Sequence, residues 1–342
     1  MIYSIHTLEL TLKLDKKKFQ KQLSLAYKKS EKKNRIYGDK DIHYDKALSS
    51  HGIDIEYHGN TYERKIKFIV NPSRVLKGDD LKLWKPNTEN ISELIELLEN
   101  NIDDYFDSEY ELDNFKLSRV DFTVNVDVGS NDNVTAYIKV LRNIGKVKGF
   151  SPKYKKNDKR IDKNASFDLE GNSNGIELSI YDKMTEIKIK DEKRKLQKEN
   201  SRQQDAKGIL RIEVRLKKQK TIRLYTSEKY TSKQISELSK QSKHVFLDTF
   251  VKVVPYGDYY KIKKAEKLIE DNINRRKPRE KMIQLLRLIP RKKSLYLAQK
   301  ELNDRKIARI MNMFAEINVS PVTISKSIKA THLKSLYSYL AE

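Results

Sequence analysis

The chain has 342 residues, 37% of them hydrophobic and 9% aromatic, which is enough to fill ordinary cores and excludes a disordered chain. Its 71 Lys and Arg against 48 Asp and Glu give a formal net charge of +23, pointing to a polyanionic partner, nucleic acid ahead of an anionic membrane surface. It has no cysteine, so disulfides, thiolate zinc sites and a cysteine nucleophile are excluded.

The charge is unevenly spread: residues 1–150 carry 25 basic and 24 acidic side chains, whereas 151–342 carry 46 and 24. A compositional bias would extend along the whole chain, so this concentration reads as a binding surface rather than a lysine-rich solvated one. The first residues alternate like a strand and run into Lys16, Lys17 and Lys18, without the apolar core of a signal peptide. No apolar run reaches membrane-spanning length, so the expectation is a soluble, cytoplasmic protein in a bacterial host, with no membrane partner.

In chain order, residues 2–14 read as a strand, and 52–58 and 62–70 as a hairpin. Asn71 and Pro72 suit the cap and first position of a helix, where a missing N–H costs nothing. Ile91, Leu94, Ile95, Leu98 and Ile102 recur at helical spacing and predict a helix over 90–104. Residues 117–128 form the clearest strand, followed by a helix over 132–144, a basic loop over 152–163 and a second hairpin with arms 165–170 and 176–182. A charged, helix-favouring segment covers about 184–204 and a strand 208–217. Helices are predicted over 232–250, 260–273, 279–288, 293–302, 304–317 and 325–341. The expected fold is α+β: an antiparallel-sheet domain at 1–217 and a basic, mainly helical domain at 218–342, where 28 basic face 12 acidic residues.

Alternate residues of a strand face opposite sides, so three strands can be split by parity. Val120, Phe122, Val124, Val126 and Val128 leave Arg119, Asp121, Thr123, Asn125 and Asp127 on the other face. Ile176, Leu178 and Ile180 leave Glu177, Ser179 and Tyr181, with Lys183 just beyond; Leu210, Ile212, Val214 and Leu216 leave Arg211, Glu213 and Arg215. If the three share a core, Asp121, Tyr181 and Glu213 project from one wet surface beside several cations. That inventory suits phosphodiester cleavage: carboxylates for Mg²⁺ or Mn²⁺, a tyrosine for a covalent phosphoester, and Lys183, Arg119, Arg211 or Arg215 to offset charge on phosphoryl oxygens. Wet strand faces also carry such residues for solubility and cross-strand pairing alone.

Four stretches in order resemble the filamentous-phage gene II/X replication proteins, nickases that start rolling-circle copying. Residues 71–78 are similar to that family's Pro-x-x-Val-Leu-x-Gly, 118–121 to its Ser-Arg-Ile-Asp, 180–186 to its Tyr-x-Lys-x-x-Glu, and 210–217 to its Val-Arg-Phe-Glu-Ala-Arg-Ile-Lys. The similarity covers roughly 1–220. It implies Tyr181 as nucleophile, with Lys183 and Glu186 matching the residues after it, and Asp121 and Glu213 as ligands of Mg²⁺ or Mn²⁺. The polar-face arginines Arg119, Arg211 and Arg215 are expected against DNA, and the reaction expected is transesterification through a 5′-phosphotyrosine intermediate, with origin DNA as substrate and a host helicase and polymerase as partners. Plasmid initiators and conjugative relaxases share the theme. A non-catalytic DNA-binding regulator is the reading from another class. The six histidines contain no His-x-His pair, so a histidine-built metal site is not expected; His6, on the first strand, is a further candidate but more often a core residue. No Gly-rich phosphate loop is present, so no nucleotide cofactor is expected.

Overall fold

The computed structural model describes residues 1–30, 36–38, 41–60, 62–79, 81–153, 166–193 and 201–341. Two compact units emerge: Ile2–Thr123 with Arg215–Phe246, and Val124–Val214 with Leu247–Glu342, Met1 counting with the latter. These units cut the chain differently from the expected division at 217/218, which concerned nicking and DNA binding rather than packing. Residues 247–342 fall in one compact unit with 124–214.

The unit holding Ile2–Thr123 is built on strands β1 (Ser4–Lys13), β2 (Ile36–Gly38), β3 (Ile42–Asp45), β4 (Ile53–Gly59), β5 (Arg64–Val70) and the first part of β6 (Lys116–Asp127), in the order β2-β3-β4-β5-β1-β6. Every neighbour in this series is antiparallel. Register follows parity: Ile55 faces Phe68, which faces Leu10, and all three are buried. The helix Thr88–Phe106 lays Ile91, Leu94, Leu98, Ile102 and Phe106 into the core, and its N-cap Asn87 accepts the Asn90 N–H. Full burial of each such side chain contributes roughly 1.5–3 kcal/mol. Trp84 is completely buried and its indole N–H donates to the Ile5 carbonyl at 2.7 Å, so its one polar atom is satisfied.

The cap at Asn71 and Pro72 is as read: Asn71 accepts the Arg74 N–H and the helix Pro72–Lys77 ends at Gly78, with φ 68°. The helix Lys16–Ser30 and strands β2 and β3 were not anticipated. That helix buries Phe19, Gln22, Ala26 and Ser30, half of them polar, so its inner face leaves no apolar stripe to read. Phe19 closes on Gly59, where a Cβ would stand 2.8 Å from the ring. Residues 215–246 complete this unit through the helix Thr231–Lys240; Thr231 donates to the Phe115 carbonyl and the Ser232 N–H to Asp113.

The other unit contains the rest of β6, then β7 (Phe150–Pro152), β8 (Ser166–Gly171), β9 (Ile176–Asp182) and β10 (Ile209–Leu216), in the order β6-β10-β9-β8-β7, with β7, β8 and β9 antiparallel in turn. The helix Asn131–Arg142, capped by Ser130, buries Val134, Tyr137, Ile138 and Leu141. Most of the expected loop at 152–163 and part of the segment 184–204 lie outside the described residues; the helices Lys183–Lys193 and Ser201–Asp205 are described.

The single helix expected over 232–250 is two, Thr231–Lys240 and Ser242–Val253, separated at Gln241. The helices Ile262–Asn272, Arg276–Lys292, Leu295–Leu302 and Ile307–Glu316 stand close to their expected places. The helix expected over 325–341 is confined to Leu336–Ala341, preceded by β12 (His332–Leu333), which pairs with β11 (Tyr259–Tyr260). The Lys261 ammonium gathers the carbonyls of Ser325, Lys326 and Ile328, which leaves those groups out of a helical ladder. Among the described residues, no helix is long and apolar enough to cross a membrane.

Candidate active site

Tyr181 is the penultimate residue of β9, and parity is as read, with Ile176, Leu178 and Ile180 in the core. The chain then turns directly into a helix, and Asp182 makes that possible. Its carboxylate accepts the Met184 N–H at 3.0 Å and the Thr185 hydroxyl at 2.6 Å, satisfying donors that the first turn would otherwise leave open. Lys183 thereby becomes the first residue of the helix Lys183–Lys193, and Glu186, one turn on, meets it: Nζ to Oε2 is 2.8 Å. Lys190 closes on the same carboxylate from the following turn. Lys183 is fully buried, and an ammonium is tolerated there only with such a partner. Burial pushes the Glu186 carboxyl up, but Lys183 and Lys190 outweigh it and hold the group below the usual carboxylate range.

The Tyr181 hydroxyl donates to Oε1 of Glu213, on β10, at 2.5 Å. Burial above all, then the negative charge of Glu213, pushes the phenol well above its ordinary value of 10, against the pull of Arg211 and with a smaller push from Glu186. Across the hairpin Ser166 stands directly opposite Tyr181, and Asp168 opposite Ser179. Asp168 accepts hydroxyl bonds from both Ser166 and Ser179, a buried polar cluster that parity in β9 hinted at only through Ser179.

The polar faces are not wet, which corrects the sequence reading. Glu177, Ser179, Arg211 and Glu213 are all buried, and Tyr181 is half-buried. Arg211, expected against DNA, is entirely enclosed; its Nε donates to Oδ1 of Asn125, from the same parity set of β6, at 2.8 Å.

Asp121 belongs to the other unit and has its own cations. Arg119, two residues before it on the same face of β6, holds both carboxylate oxygens, with Nε to Oδ1 at 2.7 Å and Nη2 on Oδ2; Arg215 approaches at 3.6 Å. The aspartate is 1% exposed. Arg119 and Arg215 keep part of their side chains at the surface, 31% and 20%. His6 is buried on β1, at an irregularity in the β1/β6 register between Ile5 and Thr7, the latter paired with Asp121.

Each of the two expected metal ligands is engaged within its own unit. The oxygens of Asp121 face guanidiniums, and Oε1 of Glu213 faces a hydroxyl proton. Among the described residues, no three His, Asp or Glu side chains form a group that could hold a metal ion.

The family model for the N-terminal part of the phage gene II replication-associated protein matches residues 9–233. The chain belongs to this family. Every candidate residue apart from His6 lies inside the region matched to the gene II protein family, and residues 234–342 lie outside it. A solved rolling-circle replication initiator protein from Geobacillus stearothermophilus is similar at 11% identity and a TM-score of 0.34, over 74% of this chain and 85% of that one. No curated protein matches the chain.

Proposed function

We propose that this member of the gene II protein family initiates rolling-circle replication by nicking one DNA strand, with Tyr181 as the nucleophile. Rolling-circle initiators are nicking enzymes in general. The observation that carries the reading is the hydroxyl of Tyr181 held on a buried carboxylate at 2.5 Å, with the Lys183–Glu186 pair one residue further on. Its surroundings, a buried carboxylate acceptor beside the Lys183–Glu186 pair, are of the kind found where titratable groups cluster at functional sites.

In the proposed reaction the Tyr181 oxygen attacks a phosphodiester of single-stranded or melted origin DNA. The bond from phosphorus to the 3′ oxygen breaks, leaving a 3′-OH for a polymerase and a 5′-phosphotyrosine. A phenol, with a pKa near ~10, leaves more readily than a sugar alcohol, so the link can be reversed and the strand resealed. Lys183 is proposed to offset charge on the phosphoryl oxygens, and Arg119 and Arg215, whose side chains keep part of their surface, to meet DNA. Asp121 is assigned to positioning those two guanidiniums. Rolling-circle initiators generally depend on divalent metal ions. Mg²⁺ or Mn²⁺ is proposed as the cofactor; Mg²⁺ is usually held by one or two carboxylates together with substrate phosphates. The surplus of basic residues in 218–342 is proposed to hold duplex DNA.

The test is a denaturation-resistant protein–DNA adduct, formed in Mn²⁺ on single-stranded oligonucleotides tiling the noncoding DNA beside the gene, with the attached peptide mapped. An adduct at Tyr181 that is absent from Tyr181→Phe is expected. Binding without any adduct would instead support the DNA-binding regulator.

A further inference from the structure

We propose that residues 295–316 form a helix-turn-helix whose second helix, Ile307–Glu316, enters the major groove of duplex DNA and reads base edges with Arg309 and Asn312. This rests on the reading that the basic part 218–342 holds duplex DNA, narrows it to one helix face, and is independent of the nucleophile. Residues 295–316 lie beyond the stretch matched to the gene II protein family.

The local sequence builds the motif. Ser294 caps the helix Leu295–Leu302 by accepting the Leu297 N–H, and the Leu295 and Tyr296 N–H groups donate to the carbonyls of Ile144 and Lys146 at 2.7 and 3.0 Å. These bonds tie the helix to residues 124–214 of the same compact unit. Asn303 ends it in the left-handed region, at φ 46°, a conformation asparagine tolerates, and its N–H closes on the Gln299 and Lys300 carbonyls. Residues 303–306 make the turn, fixed by Asp304, which accepts the Lys306 N–H at 2.7 Å. The helix Ile307–Glu316 follows, and beyond it the Ser320 N–H donates to the Asp258 carbonyl at 2.8 Å. Leu295, Ala298 and Leu302 of the first helix and Ile310 and Phe314 of the second are buried, and both helices pack on Arg276–Lys292. Two short helices, a short turn and a supporting third helix are the parts of the DNA-reading form of this motif, in which one helix is held rigidly with its outer face bare.

That face has the chemistry of base recognition. With Ile310 and Phe314 turned inward, Ala308 and Arg309 stand four and three residues before Asn312 and share its exposed side, and Arg305 and Lys306 are exposed just ahead of them. Among the described residues, the side chains of Arg305, Lys306, Arg309 and Asn312 have no hydrogen bond or ion pair. Arg276, Arg287 and Lys292, by contrast, are paired with Glu280, Glu266 and Glu301. Glu316, the acidic residue of the helix, lies at its far end. An arginine can hold guanine through O6 and N7, an asparagine can hold adenine through N6 and N7, and an alanine can meet a thymine methyl. From Lys306 to Asn312 the face runs about 9 Å at 1.5 Å per residue, the rise of roughly three base pairs. An anionic membrane fits less well: among the described residues, no exposed large apolar side chain lies on this helix.

Binding of the full chain to duplex tiles of the noncoding DNA beside the gene, compared with a scrambled duplex of equal length, tests this. The wild type is expected to prefer one tile. Arg309→Ala and Asn312→Ala should each cut that preference roughly 5- to 150-fold, each relaxing it at its own base positions. Lys306→Ala should weaken binding to tile and scramble alike and lower the salt slope by about 0.9. Ala308→Glu, a helix-favouring change at an exposed position, sets a negative charge against the groove and should weaken binding to both duplexes at least about tenfold. Unchanged preference in Arg309→Ala and Asn312→Ala, or unchanged binding by Ala308→Glu, overturns the helix assignment and leaves the basic part as a duplex-binding surface. A wild type that binds every duplex alike overturns it as well, and one that binds no duplex sinks both readings. Variants that lose adsorption to phosphatidylglycerol vesicles while keeping the tile preference would make this a membrane-facing helix instead.

Discussion

Replacing Asp121 by Asn separates the two roles that a buried aspartate on β6 could have. The substitution preserves shape but removes the charge that Arg119 grips with two nitrogens and that Arg215 approaches at 3.6 Å. Breaking a fully buried ion pair typically costs roughly 3–5 kcal/mol, because the remaining charge is left without compensation. Arg119 retains 31% of its side-chain exposure and Arg215 20%, so water repays part of that cost, and the loss should be about 2 kcal/mol. Trp84 is the one tryptophan of the chain, is fully buried, and lies in the same compact unit as Asp121. Its fluorescence during urea unfolding therefore reports the stability of that unit. Arg119→Met and the double variant complete a cycle, whose coupling should be of the same sign and of order 1–2 kcal/mol. Unchanged stability in Asp121→Asn, together with abolished nicking, would refute the ion-pair reasoning and return Asp121 to the role of metal ligand.

Tyr181→Phe should leave oligonucleotide affinity within a few-fold of wild type while removing the adduct completely, as read on a denaturing gel. Asp182→Ala removes the acceptor of the Met184 N–H and the Thr185 hydroxyl, so the helix Lys183–Lys193 should lose about 1 kcal/mol, seen as faster amide exchange over 184–190. Arg275 and Lys277 are exposed at the start of the helix Arg276–Lys292. If that surface meets duplex DNA, Arg275→Ala with Lys277→Ala should lower the slope of log affinity against log salt by up to ~1.8, about 0.9 per phosphate contact. An unaltered slope would mark these charges as a solvated surface.

Much of the fold was legible because short-range rules act strongly where they act at all. Alternation set β1, β6, β9 and β10 with the correct faces inward, the 3.6-residue repeat marked the helix Thr88–Phe106, and Asn71 with Pro72 announced a helix start that the structure bears out. Each of these depends on one segment and on its need to bury apolar surface. The helix Lys16–Ser30 escaped because Gln22 and Ser30 occupy its inner face, and the last predicted helix failed because the Lys261 ammonium, some 60 residues away in the chain, claims the carbonyls of that segment.

The candidate site divides in the same way. That Asp121, Tyr181 and Glu213 leave the apolar core on the polar side of their strands follows from parity alone, and order along the chain was enough to suggest a family. Parity says which way a side chain points but not what it meets. Only tertiary structure put Glu213 against the Tyr181 hydroxyl, gave Asp121 to Arg119 and Arg215, and enclosed Arg211 behind Asn125. Those partners come from positions up to 94 residues apart, Asp121 and Arg215, and sequence carries no local signal for a contact closed by packing. Burial and charge then set the local chemistry: enclosure, and after it the Glu213 carboxylate, push the Tyr181 phenol up, a shift that no local sequence pattern carries.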